Sequence, residues 1–183
     1  KENTWKETDF PTWLVFHDHD GNSLDAGVRF GVLKQDGQAS VLVKSSTNGA
    51  WHFNGEKWEE APGLLRGAEV DGKPVVTAAA NRDTGVRFRD VNRDGRCELI
   101  VSNPDQQDIF GWDAELNGWK RLPYALPAGA TIVDAVGHDN GVRFVDLNGD
   151  GFDDFIFSNP EAYAVHLYTP KAVGNLRWEV GWS

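Results

Sequence analysis

Short runs of alternating hydrophobic and polar residues fill the chain, broken by glycine, proline and Asx residues. In the last third, "GVRFVD" (141–146) sets Val142, Phe144 and Asp146 against Arg143 and Val145, the period-two pattern of a strand. "TIVDAV" (131–136) alternates weakly. "DFIFS" (154–158) and "YAVHLYT" (163–169) are apolar and aromatic, as buried strands are, and "NLRWEVGW" (175–182) reads as one more strand. Pro104 and Pro160 fall at strand ends, where a missing N–H costs little. No run carries a convincing helical period.

The pattern recurs. Asp-x-Gly-Val-Arg-Phe stands at Asp25–Phe30, Asp83–Phe88 and Asp139–Phe144, at intervals of 58 and 56 residues. "SNP" closes the segment at Ser102–Pro104 and Ser158–Pro160, and Lys44-Ser45-Ser46 holds that place in the first copy. A tryptophan in an extended run keeps step at Trp5, Trp58, Trp119 and Trp178. The expected fold is all-β: one repeat domain over 1–183, with units of about 58 residues near 6–58, 59–119 and 120–183. Residues 1–5 are expected to be an outer strand of a preceding or closing blade. Four short antiparallel strands per unit at this period predict β-propeller blades. The aromatic residues then fill space between blades. The arginine of each Val-Arg-Phe is expected to answer the nearby aspartate or a backbone carbonyl.

Three units are fewer than the four to eight that usually close a propeller. A piece of a longer protein, two chains assembling six blades, or an open arc would each explain the number. Open ends expose strand edges and apolar faces, so self-association or a partner chain that completes the propeller is expected.

Charge narrows the partners. There are 28 acidic and 18 basic residues, a formal net charge of -10, which opposes a nucleic-acid partner. No apolar run approaches membrane-span length, so membrane insertion is not expected. Cys97 is the single cysteine, which excludes an intramolecular disulfide and a four-cysteine metal site. Methionine is absent, which a removed leader and a cut boundary explain alike.

The glycine-rich loops carry the candidate chemistry. In "DLNGDGFDD", oxygen side chains fall on alternate positions at Asp146, Asn148 and Asp150; Gly151 permits a sharp turn, Phe152 offers a carbonyl and Asp154 closes the set. The middle copy has Asp90, Asn92, Asp94, Gly95, the Arg96 carbonyl and Glu98. Calcium takes six to eight oxygens in irregular geometry, so two such loops predict two calcium sites. The first copy, "VLKQDGQAS", has Val32, Lys34, Asp36 and Ser40 at those places and is expected to turn through Gly37 without a metal. An ordinary Asx/Gly turn is the plain alternative for any one copy. An EF-hand needs glutamate at position twelve, where this chain has Val101 and Phe157 with strands following.

These two loops resemble the calcium loops of the FG-GAP / VCBS repeat family, which includes the blades of integrin alpha-subunit propellers. The resemblance implies a β-propeller with calcium in the hairpin between the first two strands of a blade. "DNGVRFVDLNGDGFDDFIFSNP" is also similar to repeats in large secreted or envelope-associated bacterial proteins. Some of those attach such a propeller to sugar-dehydrogenase-like or haem-carrying domains. By resemblance the chain is expected to be secreted or periplasmic, in the cell envelope. It would act as a calcium-stabilised binding module for a carbohydrate or protein partner, or as the accessory domain of a larger enzyme. No integrin-like ligand site carries over, because its residues are missing here.

"FHDHDGNSLD" (16–25) is dense in ligand-type side chains. His17 and His19 on one strand face would hold a transition metal; a polar loop at the propeller rim is the plainer reading. His138 and Asp139 sit in the equivalent loop of the third unit. No serine nucleophile elbow, Cys–His pair or phosphate loop is present, and no catalytic residue is nominated.

Overall fold

A computed structural model describes residues 8–124, 126–170 and the strand 178–182. Three four-stranded antiparallel sheets, each in simple up-and-down order, dominate it. The first is Arg29–Val32, Ala39–Lys44, Asn48–Phe53 and Trp58–Glu60. The second is Val86–Arg89, Glu98–Ser102, Gln107–Asp113 and Gly118–Arg121. The third is Val142–Val145, Asp154–Ser158, Tyr163–Tyr168 and Trp178–Trp182. Three small hairpins precede them in the connections, pairing Val15–His17 with Ser23–Asp25, Glu69–Val70 with Lys73–Pro74, and Ala78–Ala79 with Arg82–Asp83. Among the described residues the only helical turn is the short 3-10 segment Pro62–Leu65. The chain is all-β.

The repeated phrase occupies the same register in every sheet. Arg29 pairs with Leu42, Arg87 with Ile100 and Arg143 with Ile156, and those partners face Ala50, Ile109 and Val165 on the third strand. The weak alternation of 131–136 makes no strand; Val133 meets Asp139 in an isolated bridge, and the segment serves as a connection. Trp5 lies outside the described residues.

Period two gives each sheet two faces, and the faces stack in a row. Leu42 and Ala50 of the first sheet share a core with Val86, Phe88, Leu99 and Phe110 of the second. Ile100 and Ile109, on the other face of the second sheet, share a core with Val142, Phe155 and Phe157 of the third. Each fully buried side chain of this size contributes roughly 1.5–3 kcal/mol. No common core joins the third sheet to the first among the described residues. Among the described residues the tryptophans pack, with one exception. Buried Trp119 donates its indole N–H to the Leu64 carbonyl at 2.8 Å, fastening the helical turn to the second sheet's outer strand. Trp58 meets Phe10 edge-on, with ring centroids 5.5 Å apart. Trp13 is the exception, at 82% exposed.

Candidate metal loops

Each candidate loop joins the first two strands of its sheet. In the third unit the loop curls because its acceptors capture its own amides. Asp146 takes the Gly149 and Gly151 N–H groups at 2.8 and 2.9 Å, Asn148 takes Asp150 N at 2.9 Å, and Asp150 takes Phe152 N at 2.8 Å. Gly151 has φ +90°, a conformation that side chains resist, and a Cβ there would strike the Arg93 guanidinium of the neighbouring loop. Asp154 is fully buried and its two oxygens accept from Leu147 N at 2.9 Å and Tyr168 N at 2.8 Å. The closing acid thus ties the loop to the third strand.

The second loop repeats the curl, but its closing acid bonds within the loop rather than to the third strand. Asp90 accepts from Asp94 N at 3.1 Å and Gly95 N at 3.0 Å, Asn92 from Asp94 N at 2.9 Å, and Asp94 from Arg96 N at 2.9 Å. Glu98, 4% exposed, accepts from Val91 N and from the Asn92 side-chain amide, both at 2.8 Å. Burial pushes the Glu98 carboxyl up to about 7, the charges of Asp94 and Asp90 add to the rise, and the Val91 amide opposes it. The partners of both closing acids are amides rather than bases. The Arg96 guanidinium lies 3.4 Å from Asp94 Oδ2 of its own loop. Arg93 reaches across to the Phe152 ring, 5.7 Å from its centroid, and Asp153 faces Arg89 at 3.8 Å.

The donor chemistry suits a hard cation. Asp90, Asn92, Asp94, Glu98 and the Arg96 carbonyl supply only oxygen, as do Asp146, Asn148, Asp150, Asp154 and the Phe152 carbonyl. A carboxylate has about four lone-pair sites, so the amide contacts leave capacity. Among the described residues no three His, Cys, Asp or Glu side chains stand together in metal-holding geometry.

The first loop is closed differently. Asp36 accepts from Gln38 N at 3.1 Å, and its other oxygen meets His52 Nε2 at 2.7 Å. His52 Nδ1 lies 2.9 Å from Ser40 Oγ. The Gln38 amide and His52 together hold the Asp36 carboxyl below its ordinary value. Ser40, in the ninth place of the loop, is fully buried, so this Ser–His–Asp chain has no access for a substrate. Sequence reading overlooked His52. Its signal, a histidine opposite Ser40, needs the strand register to be seen.

The three arginines behave alike toward their own aspartates. Asp25 takes Arg29 at 3.2 and 2.8 Å, Asp83 takes Arg87 at 3.1 and 2.7 Å, and Asp139 takes Arg143 at 3.0 and 2.7 Å. Arg29 goes further and reaches the second unit, bonding Asp83 at 2.9 Å, Thr77 O at 3.0 Å and Val86 O at 3.2 Å. Burial alone would raise the Asp83 pKa, but its bonds and charge contacts with Arg87 and Arg29 outweigh this and leave it lowered. Asp139 is held at about 2, chiefly by Arg143.

The histidine-rich segment is a hairpin turn. Asp18 takes the Asp20 and Asn22 amides at 2.9 and 2.8 Å, and His19 projects outward beside Asp20. His138 lies 3.4 Å from Asp134, and Asp139 belongs to the Arg143 pair. No family model, curated protein or solved structure matches the chain.

Proposed function

We propose that this chain is a calcium-stabilised, extracytoplasmic β-propeller segment that serves as a binding or interaction module and performs no chemistry itself. The observation that carries the reading is the placement of two all-oxygen loops at the same point of successive four-stranded sheets, each hung on a buried acid. A buried carboxylate is costly to ionise without a cation, and several acids in one small loop repel one another. An ion bound there removes both penalties and ties the first two strands of a blade to the third. The four-stranded sheets, stacked face to face, are the blades. The resemblance of the loops to FG-GAP / VCBS repeats supports the same reading, including a secreted or periplasmic setting and a carbohydrate or protein partner.

The test is calorimetric titration of the metal-stripped chain with calcium, followed by melts in calcium and in excess chelator. Two binding events and a raised midpoint are expected, since a ligand at 100 times its Kd adds about 2.7 kcal/mol to the folded state. No heat and an unchanged midpoint would sink the proposal.

A further inference from the structure

The two internal junctions bury the same face of the preceding sheet, and among the described residues that face is more open on the third sheet. Arg29 is 13% exposed beneath the second unit, Arg87 is 36% exposed beneath the third, and Arg143 is 61% exposed. The neighbours of these arginines follow suit. Leu42 and Ile100 are buried and Ile156 is half-buried; Ala50 and Ile109 are buried and Val165 is half-buried. Ser102 is fully buried, whereas Ser158 is exposed and Tyr163 beside it is 71% exposed. At the first junction Thr77 N donates to Lys44 O at 2.7 Å; at the second, Ile132 N donates to Ser102 O at 3.1 Å. Ser158 holds the equivalent position on the uncovered sheet.

What covers such a face is a leading face, and the chain carries one at its other end. At the first junction Asp83 takes two arginines, its own Arg87 and Arg29 of the preceding unit, whereas at the second Asp139 bonds its own Arg143 and meets Arg87 through charge alone. Asp25 is its counterpart in the first unit and takes its own Arg29, with 33% of its side chain exposed. Around it stand Trp13 at 82%, Val15 at 52%, Leu14 at 50% and Phe30 at 48% exposure, an apolar surface. Each end holds the half of the junction that the other lacks.

We propose that the uncovered face of the third sheet docks the leading face of a second copy of this chain, head to tail, with Arg143 of one copy reaching Asp25 of the next. Such a contact is heterologous, so it builds rings or filaments rather than a two-fold dimer. It rests on the stacked-sheet part of the functional reading and not on calcium, and running the experiment in calcium and in chelator keeps the two apart.

Sedimentation velocity from low micromolar to near-millimolar chain tests it. The wild-type chain is expected to self-associate with rising concentration. Tyr163→Glu with Arg143→Glu blocks the trailing face, Trp13→Glu blocks the leading face, and each weakens association roughly tenfold or more. An equimolar mixture of the two gives a discrete 1:1 dimer, because each retains the face the other has lost. Should Arg143→Glu disturb folding by circular dichroism, Tyr163→Glu alone carries the test from its exposed position. A wild-type chain that stays monomeric overturns the proposal, as does association that survives either block. A mixture of folded variants that fails to pair overturns it too. Exclusive pairing with a different protein would appear as the monomeric result.

Discussion

The first and third units share a scaffold and differ in how they manage charge. In both, a loop of alternate polar residues is drawn shut between the first two strands. In the first, His52 is inserted between Asp36 and Ser40, so the loop is tied to the third strand by a side chain of the protein itself. In the third, buried Asp154 makes that tie through the Tyr168 amide, and Asp146, Asn148 and Asp150 accept amides of their own loop. The arginines differ in the same direction. Arg29 is enclosed by carboxylate and carbonyl partners from two units, whereas Arg143 has its own unit's Asp139 and Val142 carbonyl. The lesson is that a repeat can hold its backbone while changing which groups neutralise its loop and its arginine.

The largest expected effect breaks the loop half of this comparison. Asp154→Ala removes the acceptor for the Leu147 amide of the loop and for the buried Tyr168 amide of the third strand, and a buried donor left without a partner costs about 1–3 kcal/mol. A loss of about 2–5 kcal/mol in urea melts is expected, with one calcium site lost. Ser40→Ala at the same place of the first loop should cost about 1 kcal/mol and leave calcium binding intact. Equal losses in the two variants, or a loss of metal from the Ser40 variant, would erase the distinction between the loops.

Next in size is the arginine series, which sharpens the other half. Arg29→Gln breaks a nearly enclosed network and is expected to cost about 3 kcal/mol. Arg143→Gln removes a solvent-screened pair and is expected to cost less than about 1 kcal/mol in dilute, monomeric chain. A cost for Arg143→Gln matching that of Arg29→Gln would mean that exposure does not grade these sites.

Much of this was legible beforehand, and the reason is repetition. One phrase recurring at intervals of 58 and 56 residues marked three equivalent sheets, placed the Asp–Arg pairs and separated the first loop from the other two. His52 was not legible, because its partners are sixteen and twelve residues away and meet it only through strand register. Nor was the gradient from Arg29 to Arg143, since an identical local phrase says nothing of what lies on top of it. The reach of Arg29 to Asp83, 54 residues on, is a property of the junction and not of either unit. The weak alternation of 131–136 reflects packing of Ile132 and Val133 beneath the second sheet rather than a strand.

The smallest effect is the response to acid. Asp83 has a folded pKa below the ordinary carboxylate value near 3.9, so the unfolded chain binds the proton more readily. Its contribution is therefore present above about pH 4 and is lost as the pH falls through its folded value. Asp139 has the same sign, with a value of about 2, but stands 60% exposed, and solvent screening discounts what that shift is worth to the fold. Replacing Asp83 by Asn should flatten the decline of the melting midpoint between about pH 4 and pH 2 more than replacing Asp139 by Asn does. The comparison is made in chelator, where the loop carboxyls contribute alike to both variants. If the Asp139 variant flattened the profile more, the enclosed junction would not be the stronger one, and the ordering of the two Asp–Arg sites would have to be reversed.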